Sequence, residues 1–351
     1  MTPNRSSLLQ QLGSPDANLR RQAAIELGKL GDSQVVETLI ERLSDPNVGV
    51  QAAVAAALGQ IGDERAVGAL IESFLGKTYR LIDSDGSPGK YFMIVGSAAK
   101  ALGQIGNAMA VNALLSGISA YQSSDVERIA AAAFGLSHVR DERVIPALLQ
   151  ALHSPAHFVR YHAALALGKI GNAQAVQPVI DALHDPVSTV QTAAAEALGD
   201  LRDPAAVEPL QRVFRNVEVF VPESAVDAFM LRDVRIHLQS RAARALALIG
   251  APESLELLEE GLRSPQWETQ LAAAVGLAYR QDARVRDVLI KALSDKTTAI
   301  QLEAVAGLAG LKDPSAIPCL TEVASKRDIP VRVVEAAKQA LEQLAAAAPG
   351  G

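Results

Sequence analysis

The chain has one cysteine, Cys319, so it can hold neither an internal disulfide nor a metal site built from several cysteines. Aromatic residues make up 4% of it, which leaves packing to small aliphatic side chains. No run of 18 apolar residues occurs, as a membrane-spanning helix would need. The opening stretch MTPNRSSLLQQLGSPD lacks the apolar core of a signal peptide, so a cytoplasmic protein in a reducing compartment is expected. Basic charge is not clustered. Lys and Arg number 33 against 39 acidic residues, a net charge of −6, dispersed in ones and twos as on solvated helix faces. That pattern argues against nucleic acid as a partner. No glycine-rich phosphate loop and no nucleophile elbow is present, so no catalytic residues and no cofactor are expected. Cys319 follows Pro318 in a helical pattern and reads as a small core residue.

What is abundant is alanine and leucine, in a chain that is 49% hydrophobic. They are ordered by a repeat of about 31 residues. Its clearest copies hold Leu27-Gly28, Ala57-Leu58-Gly59, Ala101-Leu102-Gly103, Ala166-Leu167-Gly168 and Ala197-Leu198-Gly199. Weaker copies sit at Leu136-Ser137, Ala245-Leu246-Ala247, Leu277-Ala278, Leu308-Ala309 and Ala340-Leu341-Glu342. A fixed period of this size in helix-forming residues is the mark of stacked helix pairs. In one copy, Val35, Val36, Leu39, Ile40 and Leu43 form an apolar stripe at helical spacing. Asp45-Pro46 then breaks the helix, a second helix runs from about Val48 to Ile61, and Gly62 ends it. The same turn returns at Ser14-Pro15, Ser154-Pro155, Asp185-Pro186 and Ser264-Pro265. The expectation is an all-α array of about ten helix pairs over residues 1–346 as one domain, closed by a helix at 331–344, with a disordered tail at 347–351.

Eight residues before the last position of each Ala-Leu-Gly copy stand Arg20, Gln51, Arg160, Gln191, Gln239, Gln270 and Gln301. This polar ladder is expected to hydrogen-bond the neighbouring unit's turn and satisfy helix-end groups. Val95 and Ile129 interrupt it. Positions seven before, three before and one after the same reference share a helix face. Across the middle copies they bring Phe134, His138, Tyr161, Leu165 and Lys169 beside Glu196 and Asp200, followed by Arg244. An apolar centre flanked by both signs of charge is what a protein-binding groove requires. Five histidines, His138, His153, His157, His162 and His184, fall close together but offer no His-x-x-x-His pair on one face. Capping and surface roles are expected for them, not metal binding.

The period fails twice, with spacings of 44 from Gly59 to Gly103 and 48 from Gly199 to Ala247. Both insertions, about 76–91 and 215–233, fall between a first and a second helix. Four units separate them, which at ~10 Å per stacked pair puts them about 40 Å apart along one edge. Phe74, Tyr79, Tyr91, Phe92, Phe214, Phe220 and Phe229 concentrate there, seven of thirteen aromatics. Tyr79, Tyr91, Phe92, Phe220 and Phe229 are expected to grip a partner, the competing reading being that such rings pin each loop to its own unit. Asp83-Ser84-Asp85-Gly86 lacks the remaining ligands of a calcium loop and reads as a polar turn.

The text Asp-Pro-x-x-x-Val-Gln/Arg-x-x-Ala-Ala-x-Ala-Leu-Gly, seen at Asp185–Gly199 and with Ser-Pro at Ser154–Gly168, resembles the HEAT repeat. The resemblance is to the short bacterial form found in phycobilisome lyase-like proteins and covers essentially the whole chain. It implies a right-handed α-solenoid with second helices lining the concave side. The paired His-Glu dipeptides of the iron-dependent hydroxylase branch are absent. The family holds interaction scaffolds and bilin lyases with their chaperone relatives. The leading expectation is a non-catalytic protein-binding scaffold, with a phycobiliprotein as the partner the family suggests. The first alternative is a bilin lyase or chaperone, with His138, Tyr161 or Asp200 positioning an open-chain tetrapyrrole and Lys169 or Arg160 meeting its propionates. The second is a metal or iron–sulfur assembly factor.

Overall fold

A computed structural model describes residues 4–76, 88–119, 125–139, 141–215, 228–326 and 328–347, without the side chains of 88–92, 228–232 and 347. The described residues form twenty α-helices and short 3-10 turns. They fall in two compact units, Met1–Asn172 and Ala173–Gly351, of five helix pairs each. In the first unit the first helices are α1 (Arg5–Leu12), α3 (Val36–Arg42), α5 (Val67–Leu75), α7 (Ala108–Ser119) and α9 (Ile145–Ala151). Their second helices are α2 (Ala17–Leu30), α4 (Val48–Ile61), α6 (Pro88–Ile105), α8 (Val126–Leu136) and α10 (His157–Ile170). In the second unit α11 (Val176–Asp181), α13 (Val207–Phe214), α15 (Pro252–Gly261), α17 (Arg286–Ala292) and α19 (Ile317–Ser325) come first in each pair. Their partners are α12 (Ser188–Leu201), α14 (Ala228–Ile249), α16 (Trp267–Ala278), α18 (Thr298–Leu311) and α20 (Val331–Ala347). Among the described residues no helix is long and apolar enough to cross a membrane.

Within each unit, second helices stack in chain order, α2 through α10 and α12 through α20. The Ala-Leu-Gly text explains how. Its leucines, such as Leu27, Leu58, Leu102, Leu167 and Leu198, are wholly buried. Its glycine meets the alanine of the next copy, so a Cβ on Gly28, Gly59 or Gly199 would stand 2.8, 2.7 or 2.9 Å from the Cα of Ala57, Ala101 or Ala245. Two backbones approach more closely there than any side chain permits. After eight of the second helices the chain reverses through a left-handed residue, glycine at Gly31, Gly62, Gly106, Gly171 and Gly250. Arg202, Gln281 and Lys312 take this conformation without being glycine. An aspartate then caps the 3-10 turn that opens the next pair. Asp32, Asp63, Asp141, Asp203, Asp282 and Asp313 each accept from the backbone N–H two residues on, at 2.8–3.0 Å.

The polar ladder works mainly within its own pair, which corrects the expected bond to the neighbour. Gln51 and Gln191 donate Nε2 to the carbonyls of Asp45 (2.6 Å) and Asp185 (2.8 Å) in their own turns. Gln270 and Gln301 reach the ends of their own first helices, at Leu262 (2.8 Å) and Leu293 (3.3 Å). Arg160 holds the carbonyls of Ser154 and Pro155. A side chain one turn into the second helix is closest to the turn that leads into it, so intra-pair bonding prevails. Two members also cross. Gln239 donates to Phe214 and to Thr269 of the next pair, and Arg20 grips both oxygens of Asp45 at 2.7 and 2.8 Å.

The insertions prove partly helical. α6 and α14 begin at Pro88 and Ala228 and run 18 and 22 residues, against 14 in α4, α10, α12 and α18. Tyr79, Phe220 and the Asp83–Gly86 turn lie outside the described residues. The backbones of Tyr91, Phe92 and Phe229 are helical, and their side chains lie outside the description. Phe74 and Phe214, in the last turns of α5 and α13 before the insertions, are fully buried. Each fills the space over a glycine of the next first helix, Gly117 and Gly261, backed by Ala132 and Ala273. These two rings anchor neighbouring pairs. The closing helix runs to Ala347, beyond the expected Leu344, and the rest of the tail lies outside the described residues. Cys319 is half-buried, not core, its Sγ donating to the Ala316 carbonyl at 3.0 Å.

Candidate partner-binding sites

Alanine recurs on the second helices where neighbouring helices crowd them, so larger side chains at such positions mark departures from the pattern. In the first unit these gather on α8 and α10. Phe134 meets the His138 ring edge-on at 5.4 Å and the His162 ring at 5.5 Å, while Tyr161 stands edge-on to His162 at 5.0 Å. Four rings thus run continuously from α8 and the turn after it to α10, all half-buried. Leu165 is half-buried beside them and Lys169 is exposed. Ser137, where the repeat usually has glycine, donates Oγ to the Phe134 carbonyl at 2.7 Å and lies 3.1 Å from His138 Nδ1. Burial lowers the His162 imidazole to about 4, helped by Lys169. His138 is also pushed down, by burial first and then by Lys169 and Lys100 against the hydrogen bond to Phe134. Both rings are therefore neutral at pH 7, and His138 Nδ1 lies 3.2 Å from the Phe134 carbonyl at the end of α8, a helix-end contact of the capping kind expected. His153 and His184 do lie exposed just past first-helix ends.

In the second unit the larger side chains are charged. Glu196 on α12 faces two arginines of α14, with Arg244 Nη1 3.6 Å from Oε1 and Arg241 Nε 3.8 Å from Oε2. The Arg244 guanidinium lies 4.5 Å from the centroid of the Tyr279 ring. That ring packs on Gly310, where a Cβ would stand 2.9 Å from it. Glu303 on α18 is 1% exposed. Its Oε1 lies 2.6 Å from His237 Nδ1 and 4.0 Å from Arg241 Nη2. Asp200, expected beside Glu196, is exposed. Glu196 and Arg244 come together as charges of one cluster, and Leu302, Ala306 and Gly310 continue the face half-buried.

His162, Arg241 and Glu303 were not singled out by the three-position face. All occupy one repeat position, six residues before the reference, where Ala53, Ala131, Ala193 and Ala272 stand in other copies. Departure from alanine at that position is the signal that finds them. Among the described residues no three His, Cys, Asp or Glu side chains converge as metal ligands would.

The profile of the family described as HEAT repeats matches residues 6–84, 113–194, 145–230 and 256–342. That of the PBS lyase HEAT-like repeat matches 238–264. No curated protein matches the chain. Among solved structures, the Kap95:Nup1 complex is similar over 97% of this chain and 51% of that one, at 12% identity and a TM-score of 0.52. The CpcE–CpcF complex of phycocyanin lyase from Nostoc sp. PCC7120 has 21% identity over 70% of this chain and 94% of that one, with a TM-score of 0.43. Human deoxyhypusine hydroxylase in complex with glycerol has 21% identity over 78% and 94%, with a TM-score of 0.32. The fold is a HEAT-repeat α-solenoid, the type of array that offers extended surfaces for protein–protein interaction. With its profile matched over most of its length, the chain belongs to the HEAT-repeat family and carries one repeat of the PBS lyase HEAT-like type.

Proposed function

We propose that this protein is a non-catalytic scaffold that holds a protein partner on the faces of its second helices. One observation carries the reading: the large side chains that break the alanine pattern gather on those faces in both units. Phe134, His138, Tyr161, Leu165 and Lys169 supply an aromatic patch, and Glu196, Asp200 and Arg244 belong to a charged one. Aromatic and arginine side chains on a rigid support are what binding hot spots use. The insertions are proposed to assist through Tyr79, Tyr91, Phe92, Phe220 and Phe229. Capture from native lysate by the full chain should recover a protein, and Phe134→Ala with Tyr161→Ala should weaken recovery while far-UV circular dichroism stays unchanged. Recovery unaffected by that pair would remove the aromatic patch from the binding surface. Loss on deleting 77–87 or 216–227 would assign the insertions their share.

The ring cluster and the PBS lyase HEAT-like repeat at 238–264 favour a second reading, in which the aromatic patch holds an open-chain tetrapyrrole. Lys169 and Arg160 would then meet its propionates. Mixing purified protein with a bilin and recording its visible spectrum separates the two, since a bound bilin shifts its absorption and the scaffold reading expects no shift.

A further inference from the structure

Ten residues before the reference, Met93 on α6 and Phe158 on α10 occupy the same repeat position, and both are exposed, by 46% and 59%. That position continues the face of Phe134, Tyr161 and Leu165, because steps of three and four residues return to one side of a helix. The His157 ring stacks at 4.0 Å on that of Phe158 and supports it. One turn further on, Gly96 of α6 and Ala130 of α8 are small and buried, which leaves the face low between its larger side chains. Helices α6, α8 and α10 pack in succession, so at ~10 Å between axes the face is roughly 20 Å wide. From Phe158 to Lys169 it is about 16 Å long, three helical turns. All of it lies inside the first unit. Contiguous exposed apolar surface of this kind marks an interaction site.

The charges on this face are polarised. Glu127 of α8 stands at one end, in the row of Met93 and Phe158, and Lys100 and Lys169 stand toward the other. None of the three makes an ion pair among the described residues. Both lysines act on the His138 imidazole, which burial and these cations keep neutral, so the aromatic centre adds no charge of its own. A nucleic-acid strand or an anionic membrane would meet Glu127 unfavourably and needs a continuing basic track. An amphipathic helix matches the face in three respects. It offers one apolar side, it is about 10 Å thick against a face twice as wide, and its dipole is positive at the N-terminus and negative at the C-terminus. Laid along α8 with its C-terminal end at the lysines, such a helix meets each charge with its opposite.

We propose that the face of α6, α8 and α10 receives an amphipathic helix of a partner protein, its apolar side on Met93, Phe134, Phe158 and Tyr161 and its acidic C-terminal end at Lys100 and Lys169. The inference rests on the scaffold reading and adds the partner's chemistry and direction. The full chain is titrated into two fluorescein-labelled, C-amidated peptides of about 16 residues. Both carry the same leucines at helical spacing among alanine and glutamine, but one has its glutamates in the last turn and the other in the first. Anisotropy should give the first peptide a Kd below about 1 mM and roughly tenfold tighter binding than the second. Glutamate near an N-terminus favours the free helix, so a preference in this direction does not arise from the peptides' own helicity. Lys100→Gln with Lys169→Gln should abolish the preference and retain binding. Met93→Gln with Phe158→Ser should weaken both peptides about fivefold or more. Thermal melts check each variant, and Lys169→Gln alone, at an exposed position, should still narrow the preference if a pair fails to fold. No binding of either peptide, equal or reversed preference, or a preference that survives loss of the lysines overturns the proposal. So does a dimer in sedimentation equilibrium that Phe158→Ser dissolves, since the occupant is then a second copy of this chain. If both peptides fail while Phe134→Ala with Tyr161→Ala still weakens lysate capture, this inference falls and the scaffold reading stands. If capture itself recovers no protein, the scaffold reading falls whatever the peptides do.

Discussion

Gly59→Ala and Gly68→Ala are the same chemical change, and the fold gives them opposite signs. Gly59 lies inside α4, where an added Cβ would stand 2.7 Å from the Ala101 Cα and 2.8 Å from its Cβ on α6. Backbone atoms cannot turn aside as a flexible side-chain end can, so α4 and α6 must separate. Overpacking of this kind costs about 1–3 kcal/mol, and two helix backbones in contact place Gly59 toward the upper end. Against that, alanine gains about 1 kcal/mol over glycine in a helix. The net expectation is a loss of roughly 1–2 kcal/mol. Gly68, exposed near the start of α5, has nothing within 4 Å of a Cβ. Alanine there should add about 0.5–1 kcal/mol by restricting the unfolded chain. Thermal melts followed by circular dichroism read both, at about 2–4 °C per kcal/mol for a unit of this size. Stability in a repeat array is a sum of neighbour terms, so hydrogen exchange should loosen first at α4 and α6. If Gly59→Ala equals or exceeds wild type, the Ala-Leu-Gly repeat is not a backbone-contact device and the packing argument fails.

His162 ties stability to pH. Its folded-state pKa, about 4 against 6.5, means that the unfolded chain takes up a proton more readily. Its contribution is full above pH 6.5 and is lost as pH falls toward 4, by up to about 3 kcal/mol. Denaturant titrations between those values should show the decline in wild type and a flatter profile in His162→Gln. Asp45 is held below the usual carboxylate range by Arg20 and the Asn47 N–H, which outweigh its burial. Its contribution is present above the ordinary aspartate pKa and is lost as pH falls through the lowered value. Asp45→Asn should therefore lower stability at pH 7 and remove part of the acid-induced loss. Arg202, Gln281 and Lys312 sit in left-handed conformations that glycine fills in other copies. Glycine at each should be neutral to stabilising, by up to about 1 kcal/mol in melts, and a clear loss at all three would contradict the C-cap reading.

The helix-pair array was legible because its causes are local and repeated. Proline turns, glycine C-caps, aspartate N-caps and an alanine–leucine stripe each act within one pair, and each recurs in about half of the ten copies or more. The site was less legible because side-chain identity at one position does not say which neighbour it meets. Phe134, His138 and Tyr161 could be placed on one face by counting, yet the ring that joins them, His162, is one residue off that face. Glu303 and His237 stand 66 residues apart and meet only because α14 and α18 pack directly against each other. The ladder at Gln51 and its equivalents was readable as polar, but its partner depended on how sharply each turn folds back.

By itself, then, the sequence determined the all-helical repeat, the place of each turn and the need for small residues where second helices touch. These follow from backbone propensity and periodicity, which act over a few residues. Tertiary structure decided which departures from alanine converge, that Phe74 and Phe214 are anchors, and that Arg241, Arg244 and Glu303 surround one cavity. Those outcomes depend on the distance between helices that are far apart in the chain, set by packing and not by any local signal.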